Sequence, residues 1–422
     1  MLKRLELASR EGHPMFGQSS VTLGSKLFES ALGSIYFAKL LNSKSFVKEQ
    51  SVILKTLDLK VQNTWAVTLF NKKTTLRNFS SSKVLFMHQD KNEAKEWLET
   101  WCHKFGLGRE SALLCKIAWI CEDSNRDGAT KIMRLNEYLN EAMVGLILSK
   151  YLKVPHFVKT HDAWISNATG FILQDYGGEN MLKKMIDLDI KDFQSIVVQV
   201  LVTLAVAQNA LHFKHHDLHL ENVFINRLKE DDQIVLNGQN VKLNSSEVWS
   251  YTLTKGLQSC ESCTGEDKSS CGSDDTSEAS KTIIYIEHRG LLARIADFGL
   301  SSITDPETCT RYERVDYGLL DSTEAEWGQW SGTLEDQKMY DAVVFLSKFF
   351  GHEESNSCSS ENIEWARILF RELKTKWPEI ECSNIGRPLR FQEGRASVSE
   401  IFTLPCLQNF LIKPKKTILQ IL

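Results

Sequence analysis

An apolar segment that leads into a dense polar motif places the tightest constraint on how this chain can fold. The segment carries apolar side chains in every direction, as expected of a helix buried in a large structural unit. Its apolar residues are Ile196, Val197, Val198, Val200, Leu201, Val202, Leu204, Ala205 and Val206. The motif His215-His216-Asp217-Leu218-His219-Leu220-Glu221-Asn222 follows it. We therefore predict that these polar side chains lie on a loop supported by a rigid core.

Two carboxylates and one amide in this region form the pattern of a phosphoryl-transfer site. Asp217 precedes Asn222 by five residues, and Asp297-Phe298-Gly299 follows further along the chain. In such a site one carboxylate accepts the proton of the substrate hydroxyl, while the amide and the second carboxylate hold the magnesium ions that bridge the nucleotide phosphates. We predict a kinase that uses ATP and Mg²⁺, with Asp217 as catalytic base and with Asn222 and Asp297 as metal ligands.

A lysine inside an apolar strand is the candidate for binding the nucleotide phosphates. Lys116 lies in the apolar run Ser111–Ile120, where a charge costs desolvation unless an anion meets it. A phosphate-binding lysine requires a glutamate on a following helix, and the apolar spacing at 134–152 predicts that helix. Glu141 is best placed to face Lys116, with Glu137 as its competitor. The alternative is an edge-strand lysine whose amine reaches water.

The stretch from Thr169 to Gly178 is a short apolar strand that ends in a glycine pair. Here we expect the chain to pass from a small sheet lobe to a helical one, with backbone groups free to hydrogen-bond an adenine edge. The predicted nucleotide contacts are Ile172, Leu173, Gln174 and Asp175.

The glycine-rich phosphate loop is hard to locate in the sequence. Residues Leu32–Ala38 resemble the end of such a loop running into a strand, which makes Gly33 the predicted phosphate contact. Phe28 and Ser30 stand where two further glycines would be, and residues 11–17 offer a rival placement. Ordinary turns account for either stretch equally well.

We divide the chain into three parts and expect an α+β fold. Residues 1–110 form an N-terminal extension and the start of the small lobe, with an amphipathic helix predicted at 92–105. Residues 111–175 form the rest of the small lobe, and residues 176–422 form the larger lobe.

The larger lobe is predicted to contain an insertion. Residues from about 259 to 281 are rich in Ser, Asp, Glu, Gly and Lys and contain no aromatic residue, so we expect them to be disordered. Strands are predicted to resume at 282–287 and at 291–296, and the second would deliver Asp297 to the site.

Composition excludes several classes of protein. The chain has 422 residues, 42% of them hydrophobic, so it can bury substantial cores. We expect no membrane-spanning helix. We also expect no secretory signal, because the first residues lack an apolar core. The ten cysteines are sparse, which fits a reducing compartment and a nuclear or cytoplasmic location. A net charge of −4 argues against direct nucleic-acid binding. We expect a monomer.

The motif and its surroundings resemble haspin-type protein kinases, an atypical branch of the eukaryotic protein kinases. The resemblance covers roughly residues 111–350. It rests on Leu201–Ile225 with its Leu-Ala-Val-Ala, Asp-Leu-His and Asn-Val elements, on Lys116–Glu122, on Leu139-Asn140-Glu141 with Leu148-Ser149-Lys150, and on Tyr176-Gly177-Gly178.

The resemblance implies a bilobal protein-kinase fold with a small β-rich N-lobe and a larger, mainly helical C-lobe. Such kinases phosphorylate a threonine near the start of a core histone tail in the nucleus during mitosis. The resemblance implies Asp217 as base, Asn222 and Asp297 as magnesium ligands, and Lys116 on the phosphates with Glu141 as its partner. It also implies that Asp341 braces the catalytic loop.

The sequence departs from the usual patterns in three places. His216 replaces the arginine that pairs with a phosphorylated activation loop, so we expect activity without that phosphorylation. Asp297-Phe298-Gly299 is the ordinary kinase motif, where haspins usually have Asp-Tyr-Thr, so the chain would be a divergent member. The eroded glycine-rich loop makes nucleotide affinity an open question.

The leading functional hypothesis is a serine/threonine protein kinase that acts on a basic protein such as a histone tail. Acidic residues outnumber Arg311 and Arg314 in the stretch after Asp297, which favours a basic substrate. They are Asp305, Glu307, Glu313, Asp316, Asp321, Glu324 and Glu326. One alternative is a pseudokinase that acts as a binding scaffold. The other is a small-molecule kinase of the aminoglycoside or choline type, because the His-x-Asp-Leu-His-x-x-Asn pattern also occurs there.

Overall fold

A computed structural model describes a large part of the chain. The described residues are 15–16, 19–30, 33–42, 50–58, 126–152, 154–166, 169–228, 233–236, 239–242, 248–254, 281–287, 289–307, 310–312, 339–349, 359–378, 380–382, 388–391, 397–416 and 418–421. Within them the protein has a mixed α/β structure.

The described parts of the chain contain long runs of strands separated by a few helices. The strands are β1 (Met15–Phe16), β2 (Ser19–Ser30), β3 (Gly33–Asn42), β4 (Gln50–Asp58), β5 (Thr160–Ser166), β6 (Thr169–Asp175), β7 (Glu179–Asn180), β8 (Val223–Arg227), β9 (Gln233–Leu236), β10 (Gln239–Lys242), β11 (Val248–Thr254), β12 (Lys281–Glu287), β13 (Leu291–Ile295), β14 (Ile303–Asp305), β15 (Thr310–Tyr312), β16 (Ile380–Cys382), β17 (Pro388–Phe391) and β18 (Ile418–Gln420). The α-helices are α1 (Arg126–Tyr151), α2 (Met181–Lys184), α3 (Ile190–Leu211), α4 (Tyr340–Ser347) and α5 (Ser360–Lys376).

A six-stranded antiparallel sheet forms the first part of the fold, with the strand order β1-β2-β3-β4-β6-β5. Side chains alternate between the two faces of a strand. In β4, Val52 and Leu54 are buried with Ala38 and Leu173 on one face. The alternation therefore places Lys55 on the opposite face. Helix α1 packs against β5 at the end of the sheet.

Helix α3 is the centre of the main core. Asp189 caps its first turn by accepting a hydrogen bond from the Asp192 backbone N–H at 2.7 Å, and His212 ends it in the left-handed conformation with φ 49°. By length and composition α3 is long and apolar enough to cross a membrane, which corrects our expectation that the sequence contains no such segment. A buried core helix has the same properties, and 78% of its most apolar stretch lies inside the protein.

Several predicted elements appear with small shifts. The helix predicted at 134–152 is α1, which begins earlier, and the strands predicted at 282–287 and 291–296 are β12 and β13. The predicted strand at Ser111–Ile120 and helix at 92–105 lie outside the described residues, as does the predicted insertion apart from Lys281, which belongs to β12.

The described residues after 176 contain small strand pairs as well as helices, so this part is more mixed than the expected helical lobe. Strand β11 pairs with β12 on one side and with β18, in parallel, on the other. Ile421 then continues the contact, because its backbone N–H donates to the Ser250 carbonyl at 2.9 Å and its side chain is fully buried. The last described residues thus close a sheet that begins far earlier in the chain.

Gly145 lets α1 lie close to β5. An ideal Cβ at this position would lie 2.2 Å from Thr160 Oγ1 and 3.5 Å from the Phe298 ring. Thr160 is buried, and its hydroxyl accepts a hydrogen bond from Gln174 Nε2 at 3.2 Å. A side chain at position 145 would therefore force the helix away from the strand.

We predict that Gly145→Ala destabilises the protein by about 1–3 kcal/mol because it overpacks this contact. Glycine to alanine inside a helix ordinarily stabilises by roughly 0.5–1 kcal/mol, so the sign is diagnostic. The measurement is denaturant unfolding of the wild type, Gly145→Ala, Thr160→Ala and the double variant. Gly145→Ala should cost less beside Thr160→Ala, since the nearest clashing atom is then gone. A stabilised single variant would contradict the packing.

Candidate active site

A buried ion pair joins the sheet to helix α1. Lys55 of β4 places its Nζ 2.7 Å from Oε2 of Glu141, and the two side chains are 23% and 4% exposed. A carboxylate this buried is costly unless a cation and hydrogen bonds meet it. The pair therefore fixes the Lys55 ammonium group at the inner face of the sheet.

Asp297 lies beside the same ammonium group. Its Oδ1 is 3.6 Å from Lys55 Nζ, and its side chain is half exposed. The positive charge of Lys55 lowers the pKa of Asp297, so this carboxylate stays ionised at neutral pH. Asp297 has φ 64°, a left-handed conformation that is uncommon for a residue with a side chain. A strained backbone at this position is typical of functional sites.

The loop that carries Asp217 is tied to the strand that delivers Asp297. His215 accepts a hydrogen bond at Nδ1 from the Asp217 backbone N–H at 3.3 Å, so its other ring nitrogen carries the proton and donates to the Ala296 carbonyl at 2.8 Å. Asn222 also contacts this strand, because its carbonyl accepts from the Ala296 backbone N–H at 3.0 Å. Asp217 and Asp297 are thereby held on neighbouring pieces of backbone.

Asp217 is a partly buried carboxylate. Its side chain is 33% exposed, and burial raises its pKa although the nearby His219 and His215 oppose the shift. His219 Nε2 lies 3.7 Å from Asp217 Oδ2. A carboxylate with a raised pKa holds a transferred proton better than a carboxylate with an ordinary pKa does.

The side chain of Asn222 is oriented by two hydrogen bonds. Its Nδ2 donates to the Asp217 carbonyl at 2.9 Å and lies 3.0 Å from His219 Nε2. Since these contacts use the amide nitrogen, the amide oxygen remains as a ligand. Oxygen atoms of Asn222 and Asp297 fit Mg²⁺, which prefers oxygen donors. No cluster of three or more His, Cys, Asp or Glu side chains forms a metal site within the described ranges.

Asp341 holds the backbone of the loop that carries Asp217, as expected. Its two carboxylate oxygens each accept a backbone N–H, from His215 and from His216, both at 2.7 Å. Asp341 is fully buried at the start of α4, and burial raises its pKa against the opposing effect of His215 and these two bonds. His216, one of the two donors, has φ 66°. The carboxylate therefore stabilises a backbone conformation that the chain would otherwise avoid.

His216 connects the loop to the segment that follows Asp297. Its Nε2 lies 3.0 Å from Ser302 Oγ. Lys214 and Ser302 also exchange backbone hydrogen bonds of 2.9 and 2.8 Å. The start of this segment is thus joined to the loop by three hydrogen bonds, one from a side chain and two between backbones.

The lysine beside Glu141 is Lys55, which the sequence had not indicated. Lys116 lies outside the described residues, and the contact predicted for it with Glu141 is made by Lys55. Residues 52–57 carry the same signal as the region of Lys116, namely a lysine inside an apolar run. The side chain of Glu137, the competitor of Glu141, lies outside the described part of the chain.

The four predicted nucleotide contacts, residues 172–175, all lie in strand β6. Ile172 and Leu173 pair with β4 on one side and β5 on the other, and both side chains are buried. The backbones of these two residues are therefore engaged in the sheet, whereas the prediction had them free to hydrogen-bond an adenine edge. Gln174 is also buried, facing Thr160. Asp175 ends the strand, and Tyr176 follows it.

Asp175 is engaged by neighbouring basic side chains. Its Oδ1 lies 2.7 Å from His161 Nε2. Burial disfavours its ionised form, but His161, Arg294 and Lys159 outweigh this effect and lower its pKa. Arg294 donates from Nη1 to the Tyr176 carbonyl at 3.2 Å. These contacts hold the backbone where it leaves the sheet.

Gly33 begins β3 immediately after the hairpin turn. A Cβ there would lie 1.8 Å from the Thr56 carbonyl oxygen, so its small size is required by packing against β4. Strand β2 continues up to Ser30, and Phe28 is 58% exposed. The described residues on both sides of the predicted phosphate loop therefore belong to the paired antiparallel strands β2 and β3, while residues 31–32 lie outside the described part of the chain.

Comparison with known proteins gives one partial similarity. No family model matches the chain. A stretch of 168 residues, 39% of the chain, is 27% identical to the protein named "Probable kinase 098L" of Invertebrate iridescent virus 3. The match spans about a third of that protein, 31% of its length. This similarity supports a kinase-like relationship.

We predict that Asp341→Asn destabilises the protein by about 2–4 kcal/mol, because the amide group can accept only one of the two backbone N–H bonds and leaves a buried donor unpaired. Asp187→Asn is the control, since Asp187 is 68% exposed and should change stability by less than about 0.5 kcal/mol. Chemical denaturation measures both. Equal stability of the two variants would show that the brace is unimportant.

Proposed function

We propose that the protein is an ATP-dependent serine/threonine protein kinase with a bilobal kinase fold. The observation that carries the proposal is the meeting of Lys55, Glu141 and Asp297 at one point, with Asp217 and Asn222 tied to the Asp297 strand. The kinase-like similarity to the viral protein supports the same class. In this proposal the six-stranded sheet and α1 form the small lobe, and Asp175 and Tyr176 form the hinge.

The proposed reaction is transfer of the terminal phosphoryl group of ATP to a hydroxyl. The attacking hydroxyl forms a bond to phosphorus while the bond from phosphorus to the ADP oxygen breaks. Asp217 accepts the hydroxyl proton. Lys55, held by Glu141, stabilises negative charge on the phosphates. Magnesium bound by Asn222 and Asp297 would neutralise further phosphate charge.

We propose that this kinase is active without phosphorylation of the segment after Asp297. His216 contacts Ser302 directly, and the Lys214 and Ser302 backbones pair. The described start of this segment is therefore held by contacts that need no added charge. An arginine at position 216 would instead require a phosphate to neutralise it.

A basic protein substrate, such as a histone tail, belongs to the proposal on two grounds. The resemblance to haspin-type kinases suggests it, as it suggests a nuclear location. Glu221 offers an exposed carboxylate on the loop of Asp217. Two of the acidic residues that pointed to this substrate are already engaged, since Asp305 accepts from Tyr151 Oη at 3.1 Å and Glu307 pairs with Lys150 at 2.7 Å.

A pseudokinase scaffold is the second candidate, and the side chains carried by β2 where it pairs with β3 favour it. Phe28 and Ser30 occupy positions where glycines would let backbone N–H groups approach phosphates. The exposed Phe28 offers instead an apolar contact for a partner.

We predict that the purified protein transfers labelled phosphate from ATP to serine or threonine in a panel of core histones. Asp217→Asn should lower kcat by roughly 10²–10⁴-fold, since it removes the base. Asp187→Asn should retain activity, because this carboxylate is exposed and has no role in the proposed transfer. Choline and an aminoglycoside serve as small-molecule acceptors. Transfer to these alone, or transfer unaffected by Asp217→Asn, would refute the proposal.

We predict further that Lys55→Met lowers kcat/KM by at least about 10²-fold, whereas Lys116→Met does not. Thermal unfolding with and without ATP and Mg²⁺ should show a nucleotide-dependent shift that Lys55→Met reduces. The opposite ranking of the two lysine variants would restore the role predicted for Lys116. Absence of both shift and transfer in the wild type would favour the scaffold.

A further inference from the structure

Asn140 is a buried amide whose hydrogen bonds leave its own helix. Its side chain amide nitrogen lies 3.4 Å from the Phe298 carbonyl, 3.1 Å from the Gly299 carbonyl and 2.6 Å from the Ser301 carbonyl. The residue is only 6% exposed. These three carbonyls belong to the segment that follows Asp297, so one side chain of α1 holds that whole turn of backbone.

Its neighbour Glu141 points elsewhere. Successive residues of an α-helix project about 100° apart, because the helix has 3.6 residues per turn. The Glu141 side chain projects toward the sheet and contacts Lys55, and the Asn140 side chain projects toward the segment after Asp297 and contacts its backbone. Two consecutive residues of α1 thus contact both the sheet, which carries Lys55, and the segment that follows Asp297.

The segment has separate attachments on its other side. Ser302 bonds to the backbone of Lys214 and to the His216 ring, both near the catalytic loop. These contacts hold the segment to the loop but not to the helix. On the helix side, Asn140 bonds the backbone carbonyls next to Asp297. Tyr151 and Lys150 of the same helix bond the segment further along, at the side chains of Asp305 and Glu307.

We propose that Asn140 is a positioning residue that sets Asp297 against the Lys55–Glu141 pair. The Asn140 amide fixes the backbone immediately after Asp297, whose carboxylate then lies 3.6 Å from Lys55. Loss of the amide removes the side-chain donor of the Gly299 and Ser301 carbonyls, whereas the Phe298 carbonyl still accepts from the Ser301 backbone N–H at 3.0 Å. The turn then shifts, and Asp297 no longer shares the ammonium group. The catalytic consequence rests on the proposed kinase function; the structural role does not.

The test compares Asn140→Asp with the matched variant Asn362→Asp in the full-length protein. Asn140→Asp keeps the shape of the side chain but replaces the donating nitrogen by an oxygen. Asn362 is fully buried on α5 and donates to the Leu188 carbonyl at 3.0 Å, so the same substitution there removes a buried amide bond outside the site. Asn140→Leu provides a second variant that carries no charge.

The structural measurement is backbone hydrogen exchange of residues 298–302. We expect both Asn140 variants to exchange there at least roughly tenfold faster than the wild type and Asn362→Asp, since about 1.4 kcal/mol of lost hydrogen bonding corresponds to tenfold. Unchanged exchange in these residues, with folding intact, would overturn the proposal.

The kinetic measurement separates positioning from general instability. We expect kcat to fall roughly tenfold or more in the Asn140 variants, with KM for the protein substrate little changed and with thermal stability no lower than that of Asn362→Asp. An equal loss in Asn362→Asp would show a purely structural effect and contradict the role of Asn140. If the wild type transfers no phosphate, the kinase proposal fails, and the exchange experiment alone decides whether Asn140 holds the segment.

Discussion

The buried contact between Lys55 and Glu141 is the interaction on which the rest of the site depends. Glu141 is 4% exposed, so its charge is tolerable only while a cation stays beside it. Helix α1 therefore cannot move away from β4 without a large cost. Asp297 shares the same ammonium group, which makes one cation the meeting point of the sheet, the helix and the segment after β13. The charge arrangement and the packing of these three parts are fixed together.

The sequence predicted the parts of the site whose signals are local. The loop from His215 to Asn222 directly follows a helix whose apolar side chains leave no exposed face, and both features lie within a short stretch. Helix α1 and Glu141 were recognisable from periodic spacing, and strands β12 and β13 from their apolar runs. The contact of Asp341 with the loop is confirmed, although it came from resemblance to a family and not from spacing.

The parts that the sequence did not predict depend on contacts between distant segments. Lys55 and Lys116 lie inside similar apolar runs, and the sequence alone does not show which of them meets Glu141. The folded structure brings Lys55 to Glu141, which is 86 residues away along the chain. Ile172 and Leu173 look like hinge residues until both neighbouring strands are known. The role of Asn140 was also invisible, because a single asparagine in a helix ordinarily carries no signal and its partners are backbone carbonyls.

The sheet of β11, β12 and β18 has a consequence for how the chain folds during synthesis. Strand β18 lies next to β11 in parallel, and Ile421 is buried against Ser250. A ribosome releases the chain from its first residue onward, so β11 emerges long before its partner β18 exists. One edge of β11 must therefore wait, unpaired, until residues 418–421 leave the exit tunnel. This sheet is therefore completed long after β11 has been made, and until then the open edge is a place where a chaperone or another unfinished chain can bind.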